Sequence, residues 1–157
     1  MPSAIPTIRK ILVATDAGPR AGEVLRPAVA LAAACGAELH ILRAVEPLNE
    51  QTIALVSSYM PPERLEQLRR DTVAEMQHRL QTLIAELGAE GRVAALEVRE
   101  GHAAPLILER ARELGADLIV LGSHGQSVLG EMVMGSVAHK ITMQSPIPVL
   151  LVPIRGE

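Results

Sequence analysis

The chain has 157 residues, 48% of them apolar, a length for one domain with one core and a composition that excludes a disordered chain. Fifteen Lys and Arg stand against 18 Asp and Glu, for a net charge of −3, and Tyr59 is the only residue of the Phe, Trp, Tyr set. There is no basic excess for a phosphate backbone and no aromatic platform for stacking bases, so no nucleic-acid partner is expected. The single cysteine, Cys35, excludes an internal disulfide framework and reads as a small core residue on the apolar face of a helix. No apolar stretch has signal-peptide or membrane-spanning length, so the expectation is a soluble, cytoplasmic protein with no membrane partner.

In chain order, Lys10-Ile-Leu-Val-Ala-Thr15 reads as a buried strand that ends at Asp16. Pro19 suits a first helical turn, and the Ala-rich segment 21–35 follows as a helix capped by Gly36. Pro27 inside it predicts a kink or a reset start. Residues 38–45 form a second strand. Residues 46–62 carry Pro47, Ser57, Ser58, Pro61 and Pro62 and read as a functional loop or lid, with room for a short helix. A stripe of Leu65, Leu68, Val73, Met76, Leu80, Leu83, Ile84 and Leu87 predicts a long helix stopped by Gly88, with a charged solvated face opposite. Then come a strand at 93–99, a helix at 105–114 closed by Gly115, and an apolar strand at 117–121. A Gly-rich loop at 122–134 leads to a helix at about 135–143. The last strand is Ile147-Pro-Val-Leu-Leu-Val152.

The order β-α-β-α-β-α-β-α-β predicts a single α/β domain: a five-stranded parallel sheet with helices on both faces, Rossmann-like and of nucleotide-binding type. Continuous apolar strands fit burial on both faces. Ligands of such sheets bind at the carboxyl ends of the strands. The residues that follow each strand are Asp16, 44–46, 100–102 and the loop opening at Gly122.

That loop, Gly122-Ser-His-Gly125-Gln-Ser-Val-Leu-Gly-Glu-Met-Val-Met-Gly135-Ser136, runs from a strand end to a helix start. Glycines let backbone N–H groups approach an anion, and the bare helix start with its dipole attracts phosphate. The Ser136 hydroxyl can donate to a phosphate oxygen. The spacing G-x2-G-x9-G-[ST] is only moderately specific, and the glycines could serve tight turns alone; its position at the crossover favours phosphate. It is neither a Walker loop nor the dinucleotide fingerprint.

On these residues the chain resembles the universal stress protein family over about residues 8–154. The anchors are Lys10-Ile-Leu-Val-Ala-Thr-Asp16, Leu39-His-Ile-Leu-Arg-Ala-Val-Glu46, Ala116-Asp-Leu-Ile-Val-Leu-Gly-Ser-His-Gly125, Gly135-Ser136 and Pro148-Val-Leu-Leu-Val-Pro153. Family members with this glycine spacing bind ATP, so the resemblance implies ATP, with Mg2+ or Mn2+, and a homodimer. It places Thr15 and Asp16 beside the nucleoside, with Asp16 near the metal. The backbone of Ala44 would read the adenine edge, and Leu121 would pack near the nucleoside. Gly122, His124, Gly125, Gly135, Ser136 and Val137 would contact phosphate and ribose. Gly18 departs from the family's serine two residues after the aspartate, which puts a local helix cap in doubt.

Several residues have two readings. Asp16 is a helix cap or a ribose or metal ligand. His124 donates to the ligand or faces water. Ser123 reads as a turn former; Ser127 is a turn former or a ligand contact. Lys140 leans toward the phosphates or is simply solvated. Glu46 and Glu100 are a solvated rim or an acid–base pair. The scattered histidines make no metal pair.

The function that follows is an ATP-binding, stress-response sensor or regulator. The alternatives are an adenylate-forming or slowly ATP-hydrolysing enzyme on a related fold, and a ligand-free dimeric scaffold. Dimerisation is expected through the last strand, an apolar sheet edge that a second copy can cover.

Overall fold

The computed structural model describes residues 5, 7–15, 18–123 and 134–154. Five strands, β1 (Lys10–Ala14), β2 (Glu38–Val45), β3 (Val93–Glu100), β4 (Leu118–Gly122) and β5 (Val149–Val152), form one sheet in the order β3-β2-β1-β4-β5. All four pairings are parallel, with Leu12 opposite His40 on one side of β1 and Ile119 on the other. Five helices connect them: α1 (Ala21–Cys35), α2 (Glu50–Ser57), α3 (Pro62–Glu86), α4 (Ala103–Leu114) and α5 (Ser136–Gln144).

The strands split their side chains two ways, as a period of two requires. Ile11, Val13, Leu39, Ile41 and Val120 pack under α1 and α3, against Leu25 and Leu80. Leu12, Leu42, Ile119 and Leu121 pack under α4 and α5, against Ile107, Ala111 and Ile141. A wholly apolar strand such as β4 is what burial on both faces demands. Asp117 clips the sheet's lower edge: its Oδ2 accepts the N–H groups of Arg9 at 2.9 Å and Lys10 at 3.0 Å. Those two bonds hold its carboxyl below the usual carboxylate range.

Four expectations change. Helix α1 runs through Pro27 without ending or restarting there. Cys35 is exposed, not core. It lies at the angle of the buried stripe Val24, Leu25, Ala28, Ala32, but is the last residue of the helix, one turn beyond the last buried position. The segment 46–62 contains a real helix, α2, whose Asn49 side chain caps it by accepting the Thr52 N–H at 2.7 Å. Helix α2 buries no residue. Finally, the stripe of α3 is only half used. Leu80 and Ile84 are buried, but Leu68 is 40% exposed. Arg69 pairs with Glu100 at the end of β3, so residues 62–68 project roughly 10 Å beyond the sheet.

Candidate functional site

The chain leaves β1 toward β2 by way of α1, and leaves β4 toward β5 by way of α5 on the opposite face. The sheet therefore changes direction between β1 and β4, and a crevice opens over their carboxyl ends. Thr15 stands at the end of β1 and donates its N–H to the Leu42 carbonyl at 3.1 Å. Asp16, His124, Gly125 and Ser127 lie outside the described residues.

Ala44 is 7% exposed, near the end of β2. In a parallel ladder alternate residues turn both amide groups to the same neighbour. The Val45 carbonyl accepts from Gly101 on the β3 side, while Leu42 accepts from Thr15 on the β1 side. Ala44 thus turns its N–H and carbonyl toward the β1 side, two residues beyond the last β1 pair, Ala14 with Leu42. Its methyl and Leu121, 4% exposed, form apolar floor beneath the crevice.

Gly122 is also constrained by packing. A Cβ there would run into Ile154 Cδ1 and would lie 3.4 Å from Val24 Cγ2. The chain leaving β5 crosses against this residue, so a side chain here would force Ile154 to shift. The next residue, Ser123, is a junction. Its N–H donates to Val152 at 2.8 Å, its hydroxyl accepts from Ile154 at 3.3 Å, and its carbonyl accepts the Gly135 N–H at 2.9 Å. That last bond ties the two ends of the 124–133 segment together and sets Gly135 against the end of β4.

Gly135 is the N-cap of α5 at φ −62°, ψ 154°, a conformation open to any residue, and offers no side-chain cap. The first hydrogen bond within the helix runs from His139 to Gly135 at 2.9 Å. The N–H groups of Ser136, Val137 and Ala138 precede it and have no partner inside the helix. They lie at its positive end. Ser136 is exposed and Val137 half-buried.

The rim beyond β2 and β3 holds an arrangement that sequence reading missed. Glu46 Oε2 is 2.8 Å from His102 Nδ1, and Glu46 Oε1 accepts the Ala103 N–H at 3.2 Å. Glu46 thus caps α4, whose own N-cap residue, His102, supplies no side-chain cap. The Ala103 N–H, then the His102 contact, hold the Glu46 carboxyl below its usual range, with Lys140 adding attraction from α5. Glu100, by contrast, faces Arg69. The two rim carboxylates take different partners, Glu46 the His102 ring and the Ala103 N–H, Glu100 the Arg69 guanidinium. The one available signal was Glu46 and His102 each standing just past a strand end. Among the described residues no cluster of three or more His, Cys, Asp or Glu could hold a metal ion. A cavity of about 470 Å3 lies at the opposite end of the sheet, between Leu108, Ala111, Ile119, Pro146 and Ile147, away from the crevice.

A doubly wound parallel sheet with a glycine-spaced segment leading onto a bare helix start defines the class: an α/β protein built on the Rossmann plan. Residues 7–153 match the model of the universal stress protein family, and the chain belongs to that family of stress-response proteins. It is 35% identical over 144 residues to universal stress protein YxiE of Bacillus subtilis, covering 91% of this chain and 97% of the relative. The solved structure of the hypothetical protein MJ0577 superposes with a TM-score of 0.75 at 25% identity, over 97% of this chain and 100% of that one. A universal stress protein solved in complex with cAMP superposes at 0.63 with 23% identity, over 94% and 98% of the two chains. Among the described residues no helix is long and apolar enough to cross a membrane.

Proposed function

We propose that this protein binds ATP in the crevice between β1 and β4 and acts as a nucleotide-dependent sensor or regulator of the stress response. The observation that carries the reading is the start of α5. It opens on Gly135 with no side-chain cap, at the end of the glycine-spaced segment, over the switch point of the sheet. Three N–H groups at the helix start and the Ser136 hydroxyl suit a phosphate. Ala44, with its amide edge turned toward the β1 side, suits a base. A fold neighbour solved with cAMP gives collateral support, since cAMP is an adenine nucleotide.

In this reading Thr15 and Asp16 flank the nucleoside and Leu121 supports it from below. His124, Gly125, Gly135, Ser136 and Val137 meet the phosphates and ribose, with Gly122 shaping the turn that delivers them. Mg2+ or Mn2+ accompanies the phosphates, with Asp16 as its carboxylate. A second copy covers the edge strand β5, and the protein works in the cytoplasm.

The test begins with the nucleotide that co-purifies. One tyrosine and no tryptophan leave the protein little near-ultraviolet absorbance of its own, so bound adenine dominates the spectrum. Thermal shifts with ATP-Mg2+, ADP-Mg2+ and AMP then ask whether the γ-phosphate counts. A ligand at a hundredfold excess over Kd stabilises by about 2.7 kcal/mol. ATP should stabilise most, and Ser136→Ala should lose mainly the difference between ATP and ADP. Protein that neither carries nor takes up adenine nucleotide would end this reading. Equal shifts from all three would remove the sensor role, because a ligand that favours no state shifts none.

A further inference from the structure

We infer that the Glu46 side chain reads the 6-amino edge of the bound purine and so selects adenine over 6-oxo purines. This rests on the nucleotide reading above and adds a specificity-determining side chain to it.

The placement comes first. Side chains two apart on a strand share a face, so Ala44 turns the same way as Leu42, toward α4 and α5, and Glu46, one residue past the strand, reaches the start of α4 through the Ala103 N–H. Leu42 and Ala44 are buried there. Glu46 emerges just past the last residue of β2, roughly 6.6 Å beyond Ala44 along the strand. A base whose edge meets the Ala44 backbone therefore has the Glu46 carboxylate as its next neighbour up the strand.

Second, this carboxylate is held in place. The Ala103 N–H and His102 Nδ1 each take one oxygen, at 3.2 Å and 2.8 Å. Glu100, the other rim carboxylate, is turned away to Arg69. Both oxygens of Glu46 keep a second lone pair for a ligand. The attraction of Lys140 and the two bonds keep the group ionised near neutral pH, so it accepts and never donates.

The chemistry follows. A 6-amino group carries two N–H donors. The Ala44 carbonyl satisfies one, and the second needs another acceptor. A 6-oxo group would instead set its lone pairs against a fixed negative charge. A carboxylate at the rim could also accept from ribose hydroxyls, so the test must separate base from sugar.

Kd values for ATP, ITP and 2′-deoxy-ATP are measured by equilibrium dialysis for wild type, Glu46→Gln and Glu46→Asp. The Gln amide can still accept from Ala103 through its oxygen, so α4 stays capped, and thermal melting checks the fold. Losing a charge-assisted bond and the matching repulsion should lower the ATP-over-ITP preference about tenfold or more in Glu46→Gln. The preference for ATP over 2′-deoxy-ATP should not change. Glu46→Asp keeps the charge but retracts it by one methylene, and should lower the same ratio. Equal weakening of ATP and ITP in both variants would make Glu46 a helix cap only and overturn the inference. A change confined to the 2′-deoxy ratio would move the contact to the ribose and overturn it as well. Wild-type protein that binds no purine nucleotide would overturn this and the nucleotide reading together, whereas ATP bound with an unchanged ratio overturns only the role of Glu46.

Discussion

Gly122 offers the sharpest separation of packing from ligand binding. A Cβ at this position meets the side chain of Ile154, running into Cδ1 and lying 3.2 Å from Cγ1, with Val24 Cγ2 at 3.4 Å. Ile154 is 8% exposed and is fixed from behind by its N–H bond to the Ser123 hydroxyl. Its methyl end can move, but only by disturbing the core cluster under α1. Overpacking of this size costs about 1–2 kcal/mol. In a domain of this length that lowers Tm by about 2–8 °C. Gly122→Ala should therefore melt earlier whether or not nucleotide is present. Ile154→Ala in the same chain should cancel most of the added loss, because it removes the atoms that collide. A double-mutant cycle on Tm or urea midpoint measures that coupling. Nucleotide affinity, measured on the doubly substituted protein, then reports on the Gly122 backbone without the packing defect. A Gly122→Ala variant with wild-type Tm would refute the packing argument, as would two substitutions whose effects simply add.

Helix α2 and the far half of α3 should differ in their contribution to stability. Leu80→Ala, at a fully buried position, should cost about 2–5 kcal/mol, while Leu55→Ser, 63% exposed on α2, should stay within about 0.5 kcal/mol by urea titration. Asp117 has a folded pKa below its unfolded one, so its contribution is complete above the unfolded value and is lost as pH falls through the folded value. Asp117→Asn should weaken the fold by about 0.5–1 kcal/mol at neutral pH and flatten the acid limb of the stability curve. Leu150, 39% exposed on the edge strand β5, should bury in a dimer; Leu150→Lys should then give monomer by light scattering, and an unchanged assembly would place the interface elsewhere.

The order of elements, the parallel sheet and the strand limits of β2 were legible in the chain because buried strands are apolar without interruption and glycines stand where helices must stop. Gly36 and Gly115 do cap α1 and α4 in the left-handed conformation. The start of α5 at Ser136 was legible as well, since the helix begins within a residue of where the sequence places it. What the chain could not disclose was where each pattern runs out of partners. Cys35 and Leu68 lie on apolar stripes yet face solvent, because a stripe shows an angle around a helix and not how far the sheet beneath it extends. Helix α2 was allowed for but could not be placed, because it buries nothing and no periodic burial marks it. Gly122 stands out in the chain only as part of the glycine spacing, and its close approach to Ile154, a contact between residues 32 apart in sequence, is visible only in the fold. Glu46 and His102, 56 residues apart, meet only because β2 and β3 lie side by side in the sheet. Local propensity and periodicity act within a few residues and can be read from the chain, whereas adjacency between strand ends exists only once the sheet has set its order.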